Sequence, residues 1–151
     1  MAHFLIPEII YSAETHDLRQ RILRPGQALA QCIYNEDDDP STFHLGIRAA
    51  SSPTVISNGT FIQQDHPLFP GAVKPFRLRG MATDIQFQRQ GLGQKIIHAA
   101  LVELKTRNCD LLWFNARTSA ELFYLKLKFL ADNNVFELPQ IGPHKVMYKW
   151  L

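Results

Sequence analysis

Seven residues, Gln88-Arg89-Gln90-Gly91-Leu92-Gly93-Gln94, stand between a stretch of strand-like character and a segment of helical periodicity. A helix start leaves several backbone N–H groups without partners, and the helix dipole places partial positive charge there. Glycines at 91 and 93 let the backbone bend and let an anion come close without meeting a side chain. Arg89 adds a full charge. A diphosphate suits such a place. A helix start that merely needs a tight bend would show the same two glycines. No Lys-Ser/Thr follows them, which excludes a Walker P-loop. There is no third glycine in dinucleotide register and no acid in a ribose-binding position after the next strand.

The elements that must position this turn can be read on either side of it. Phe4 to Tyr11 reads as a strand ended near Pro7, and Thr15 as the cap of a short helix over His16 to Leu23. Asn35 to Ser41, with four consecutive acids ending at Pro40, reads as a solvated polar loop without calcium-loop spacing. Thr42 to Ala49 and Thr54 to Gln63 read as strands, with Asn58-Gly59 as a turn or bulge. Phe76 to Ile85 reads as a strand in which Gly80 marks a bulge or a close backbone approach. Gln94 to Arg107 is the clearest helix, with Ile97, Leu101 and Leu104 on one face beside Ile96 and Ala100. Leu111 to Phe114 is a continuous apolar run bounded by Asp110 and Asn115, as expected of a strand buried on both faces. Thr118 or Ser119 then caps a last long helix through about Ala131. Phe123, Leu127 and Leu130 form its inner stripe. Leu122, Leu125 and Phe129 form a second stripe that faces another element or another subunit, which is compatible with a homodimer. Val135 to Leu138 and His144 to Leu151 close the chain as two strands. Strand–turn–helix–strand is a βαβ unit with parallel strands, and antiparallel strands flank it. The expected class is α/β (α+β): one mixed, mostly antiparallel central sheet with helices on both faces.

At 151 residues, the chain is one domain's worth, 1–151, and can bury a core without staples. It is 46% apolar and 20% charged, the composition of a soluble protein. A formal charge of +2, with Lys and Arg spread along the chain, does not suit a nucleic-acid binder. No apolar run has membrane-spanning length, so no membrane partner is expected. The N-terminal stretch has no basic lead and no small-residue cleavage site, so it does not read as a signal peptide. Cys32 and Cys109 form no metal-binding pair and read as reduced thiols of a cytoplasmic protein. No two of the six histidines have ligand spacing on one element, so no metal is expected.

The glycine turn and the elements after it resemble the GCN5-related N-acetyltransferase (GNAT) family. Gln88-Arg89-Gln90-Gly91-Leu92-Gly93 matches its Q/R-x-x-G-x-G/A signature, Ala120-x-x-x-Tyr124 matches its A-x-x-x-Y helix, and Phe129 matches the Phe of its G-F pair. The resemblance covers essentially the whole chain. Three positions depart from the family pattern: Arg117 stands for the Asn before that Ala, Lys128 for the Gly before Phe129, and Ile85 for the Pro after the splayed strand. The resemblance implies acetyl-CoA as cosubstrate. Met81, Ala82 and Thr83 would run along its pantetheine arm. Gln88, Arg89, Gln90, Gly91, Leu92, Gly93 and Gln94 would hold its diphosphate. Asn115 and Arg117 fall at the positions of polar contacts beyond the next strand. It also implies direct attack of an amine on the thioester, with a backbone N–H near Ala82 stabilising the oxyanion and Tyr124 as the acid for the thiolate. A phenol's ordinary pKa of about 10 lies not far above a thiol's of about 8.5.

For the base, the strand Phe76 to Ile85 carries no Glu. Glu137, His144 and Asp84 are candidates, and His144 is chosen because its neutral form suits a base near neutral pH. Lys126 could reach a cofactor phosphate or be a surface lysine. Arg21 and Arg24 could line a site for a carboxylated amine or be surface charge. The acceptor is an amine, on a small molecule or a protein. The alternatives to an N-acetyltransferase are a cysteine acyltransferase through Cys32 or Cys109, which lacks a His/Asp signature, and a CoA-binding sensor or interaction module with little or no catalysis.

Overall fold

A computed structural model describes residues 5–151, so Phe4, expected in the first strand, lies outside the described residues. The chain has a mixed α/β fold with mostly antiparallel pairing and one parallel pair. It forms two compact units, one from the residues up to Ile62 with Leu78–Leu104, the other from Gln63–Arg77 with Lys105–Leu151.

In the first unit, β1 (Glu8–Ile10), β2 (Phe43–Arg48), β3 (Val55–Gln63) and most of β4 (Pro75–Thr83) follow one another in hydrogen-bonded order. A 3-10 turn at Ser12–Thr15, an α turn at His16–Leu18 (α1) and a π turn at Arg19–Leu23 lie between β1 and β2. Thr15 caps nothing: its hydroxyl donates to the Ser12 carbonyl at 2.7 Å, and the helical run begins earlier, where the Glu14 carboxylate accepts from Tyr11 N–H at 2.9 Å. The helix α2 spans Leu92–Thr106 and buries Leu92, Ile96, Ile97, Ala100 and Leu104.

Asn58-Gly59 is not a turn. Both residues pair in mid-strand, Asn58 with Gly46 and Gly59 with Leu45. The dipeptide is there for packing: a Cβ on Gly59 would touch Ile96, Leu78 and Met81 side chains, each at 3.4 Å. The same contact reveals the shape of β4. Leu78 and Met81 lie three residues apart yet meet the same neighbour, which a strand of period two does not allow. One residue is therefore extra, and Gly80, with φ +64°, is the one that takes the left-handed conformation. Ala82 consequently turns to the opposite face and packs with Ile10, Leu18 and Val55.

The acidic loop is not wholly solvated either. Asp37 is buried, and its carboxylate takes two hydrogen bonds from Arg19, at 2.7 and 2.8 Å. Asp38 lies at the surface and accepts from Ser12.

In the second unit, β4 begins parallel to β5 (Leu111–Arg117), with Pro75 to Arg77 opposite Leu111 to Trp113. The remaining ladders are antiparallel: β5 pairs β8 (Gly142–Trp150), and β8 also pairs β6 (Leu130–Ala131) and β7 (Phe136–Leu138). Leu111 to Phe114 are all buried, as expected for a central strand. The last helix is much shorter than its apolar pattern suggests. A 3-10 turn at Thr118–Ala120 leads into α3, which covers only Glu121–Lys126. Lys128 takes φ +69° and ends it, so Leu130 and Ala131 enter a strand instead. Of the second stripe, Phe129 is buried, whereas Leu122 and Leu125 are exposed.

Candidate active site

In the first unit the turn and the end of β4 form one piece. The Gln88 side-chain amide donates to the Thr83 carbonyl at 3.0 Å, tying the turn back to the strand. Asp84 N–H continues the pairing to the Ile56 carbonyl at 2.8 Å. Two residues of the turn are left-handed, Arg89 at φ +62° and Gly91 at φ +80°. Leu92 is buried and anchors the helix start, while Gln88, Arg89, Gln90, Gly91 and Gln94 are exposed. The first helical hydrogen bond runs from Lys95 N–H to the Gly91 carbonyl at 3.1 Å. The N–H groups of Leu92, Gly93 and Gln94 thus have no partner within the helix. A Cβ placed on Gly91 would meet nothing within 4 Å among the described residues, so the space beside Gly91 itself is open. The arrangement fits an anionic group at a helix N-terminus.

On β4, Met81 and Thr83 are half-buried and Ala82 is buried. The Thr83 and Ser57 hydroxyls share a hydrogen bond at 2.8 Å, which fixes the end of the strand. Asp84 does not serve as a free base. It accepts from Gln86 N–H and from Arg21, and these contacts hold its carboxyl below the ordinary range. Arg21 is held from both sides by Asp17 and Asp84, each at 2.9 Å, beside an open recess lined by Gln20, Ile22 and Ile85. Arg24 reaches the Gln27 side-chain carbonyl at 3.4 Å.

The second unit holds Tyr124, His144, Asn115 and Arg117. Tyr124 is buried on α3, with its ring 4.4 Å from Phe114, 4.9 Å from Phe123 and 6.0 Å from Phe129, centroid to centroid. Loss of water around the phenol pushes its pKa well above the ordinary value, so the proton stays in place at neutral pH. The helix stops around it: the Tyr124 carbonyl accepts from Leu127 N–H at 3.0 Å and Phe129 N–H at 3.2 Å. A Lys145–Glu121 ion pair at 3.0 Å joins β8 to the first turn of α3.

His144 lies in β8, which starts at Gly142, two residues before the strand expected from His144. It pairs with Arg117 on one side and Phe136 on the other, and is buried. Its Nδ1 lies 2.7 Å from the Gly142 carbonyl. A carbonyl can only accept, so Nδ1 carries a proton, and in the neutral ring the lone pair is on Nε2. Asn115 is half-buried on β5, Arg117 and Lys126 are exposed, and Glu137 is an exposed residue of β7. Burial pushes the Cys109 thiol up, away from nucleophilic thiolate. Among the described residues there is no group of three metal-ligating side chains, and no helix is long and apolar enough to cross a membrane.

The sequence pattern did not disclose Asn58, Arg19, Asp37, Thr60 and His44, polar or charged residues buried in the first unit. Their pairing joins positions far apart in the chain. Gly80 was the one local signal that something approaches β4 closely.

Comparison with known proteins agrees with this architecture. The family model described as "Acetyltransferase (GNAT) family" matches residues 8–129. The chain is 39% identical over 138 residues to the uncharacterized N-acetyltransferase YitI of Bacillus subtilis, covering 91% of each protein. Among solved structures, Escherichia coli ElaA superposes with a TM-score of 0.77 at 15% identity, over 97% of this chain and 99% of that one. An aminoglycoside 6'-N-acetyltransferase complexed with coenzyme A gives a TM-score of 0.73 at 11% identity, over 97% of each chain.

Proposed function

The chain belongs to the acetyltransferase (GNAT) family, and from that premise we propose that it moves an acetyl group from acetyl-CoA to a primary amine by direct attack. The acceptor is a small-molecule or protein amine. The observation that carries this reading is the turn before α2, where Gly91, left-handed and with free space at its α-carbon, precedes three N–H groups that have no partner within the helix. The residues fit the diphosphate end of the donor, with Arg89 adding charge at the rim.

Acetyl-CoA supplies the acetyl group as a thioester: the amine nitrogen bonds to the carbonyl carbon, the C–S bond breaks, and sulfur leaves with the electron pair as thiolate. Each other role belongs to this chain. Gln88 to Gln94 bind and orient the diphosphate. The backbone of Met81, Ala82 and Thr83 aligns the pantetheine arm, and an N–H of the bulged strand stabilises charge developing on the carbonyl oxygen. Asn115 and Arg117 contribute polar contacts to the donor. Tyr124 delivers its phenolic proton to the thiolate. Its raised pKa keeps that proton in place at neutral pH and makes the phenol a weaker acid toward the thiolate. His144 accepts the proton of the amine at Nε2, the nitrogen left with a lone pair by the Nδ1 contact to Gly142. The buried thiols Cys32 and Cys109 suit a cytoplasmic enzyme.

The test follows thiol release from acetyl-CoA over a panel of primary amines, for the wild type and Tyr124→Phe. The reading expects acetylated amine and CoA in equal amounts, and a Tyr124→Phe kcat lowered about 10²-fold with little change in KM. A variant with full kcat removes Tyr124 from the reaction. Tight CoA binding with no turnover of any amine makes the chain a binding module instead.

A further inference from the structure

Within the first unit, a network of buried polar side chains is built around Gly80. The Asn58 side chain is fully buried, and its Nδ2 donates to the Gly80 carbonyl at 3.0 Å. Arg19, also buried, is fixed by the Asp37 carboxylate, the Cys32 carbonyl at 2.9 Å and the Thr60 hydroxyl at 2.7 Å. Its Nε has no hydrogen-bond partner among the described residues, and a Cβ on Gly80 would lie 2.9 Å from that nitrogen and 3.2 Å from the Tyr34 hydroxyl. Arg19 and Arg79 each place their guanidinium carbon 3.8 Å from the centre of the Tyr34 ring, so the ring is held between them. The bulge in β4 is thus clamped at its carbonyl by Asn58 and walled at its α-carbon by Arg19 and Tyr34.

The Gly80 carbonyl and the Met81 N–H belong to one planar trans peptide, and in such a peptide the two bonds point in opposite directions. Fixing the carbonyl on Asn58 therefore fixes the N–H of Met81, pointing away from Asn58. We infer that Asn58 is a positioning residue for the acetyl transfer: by holding the Gly80 carbonyl, it aims the Met81 N–H at the thioester carbonyl oxygen, with Arg19 and Tyr34 keeping Gly80 in its left-handed conformation. This rests on the acetyl-CoA reading above and adds to it the donor atom and the side chain that aims it. A donor in an oxyanion hole acts through its direction, so loosening its support lowers the rate without lowering affinity for the donor substrate.

The experiment uses the full chain and acetyl-CoA labelled with ¹³C at the carbonyl. Calorimetry gives the affinity, and isotope-edited infrared spectroscopy gives the thioester carbonyl stretch, a readout that needs no amine. Wild-type protein is expected to move the stretch to lower frequency. Asn58→Leu, which removes the donor at similar size, and Gly80→Ala, which crowds Arg19, are expected to return it most of the way to the free value, with Kd within about threefold of wild type. Turnover of any amine found to react falls about tenfold or more in kcat at unchanged KM for acetyl-CoA. Folded variants that keep the wild-type stretch overturn the inference and leave the acetyl-CoA reading standing, as does a wild type that binds acetyl-CoA without moving the stretch. If the wild type does not bind acetyl-CoA, the reading itself falls and the inference with it. Should Asn58→Leu not fold, Gly80→Ala decides alone, because its added methyl displaces the same peptide.

Discussion

Asp37→Ala should cost more than any other single change in the acidic loop, and the reason lies 18 residues away on Arg19. The Arg19 side chain is 1% exposed and that of Asp37 3%, and two parallel hydrogen bonds of 2.7 and 2.8 Å join them. Asp37 also accepts from the Tyr34 N–H at 2.9 Å. Removing the carboxylate leaves a guanidinium charge in the interior facing the Cys32 carbonyl, the Thr60 hydroxyl and the Tyr34 ring, none of which carries a compensating charge. Breaking a buried pair in this one-sided way costs about 3–5 kcal/mol. For a chain of this size, that corresponds to a fall in Tm of roughly 10 °C. Thermal and urea unfolding of the wild type and the variant measure it. Replacing both partners, as in Arg19→Met with Asp37→Leu, should recover most of the loss, since it removes the stranded charge as well as the pair. An Asp37→Ala cost below about 1 kcal/mol would mean that the pair behaves like a surface ion pair, refuting the argument that this network is rigid.

Other outcomes follow from single positions. Lys128→Gly should stabilise the chain by about 0.5–1 kcal/mol in urea unfolding, because Lys128 holds a left-handed φ of +69° that glycine adopts without strain. Gly91→Glu should abolish measurable CoA binding by calorimetry while costing only about 1 kcal/mol of stability, since its Cβ has free space and only the φ of +80° resists it. Stability should fall as pH drops below about 6.5, where His44 and His66 become protonated in the unfolded chain. Burial lowers the pKa of both in the fold, so the unfolded state binds the extra protons and stability rises with pH through that window. For His44 burial is the main cause, and the neutral ring is already satisfied: Nε2 donates to the Asp37 carbonyl and Nδ1 accepts from the Thr60 hydroxyl. His44→Gln should flatten the pH slope in unfolding experiments, and an unchanged slope would assign it elsewhere.

The strand–turn–helix centre of this fold was legible because its signals are local. Gly91 marks the bend, the apolar spacing of Ile96, Ile97, Ala100 and Leu104 marks α2, and Leu111 to Phe114 announce a strand covered on both sides. What was misread depended on partners distant in sequence or on backbone angles that residue type does not announce. Asn58-Gly59 has the local chemistry of a turn, but α2 and Gly80 decide its place. Asp37 sits in a run of acids that looks solvated, and only Arg19 across the fold makes it a buried residue. The last helix reads as long because Lys128 favours helix, while its actual φ is one that a glycine would have disclosed. The last strand starts two residues earlier than His144, because Pro143 itself is accommodated in β8 opposite Glu137. For the candidate site, the turn before α2 and Tyr124 came from spacing and resemblance. The brace behind β4 could not, because Arg19, the stretch from Cys32 to Asp37, and Asn58 with Thr60 are three separate stretches of chain.

The central claim is that this chain binds acetyl-CoA through the turn before α2 and transfers its acetyl group to an amine. Titration of acetyl-CoA into the wild type and Gly91→Glu, followed by mass spectrometry of an amine panel incubated with each, tests it most directly. The account predicts saturable binding to the wild type, no detectable binding to Gly91→Glu, and an acetylated amine only where the donor binds. Equal binding by the two proteins, or binding by neither, would contradict it.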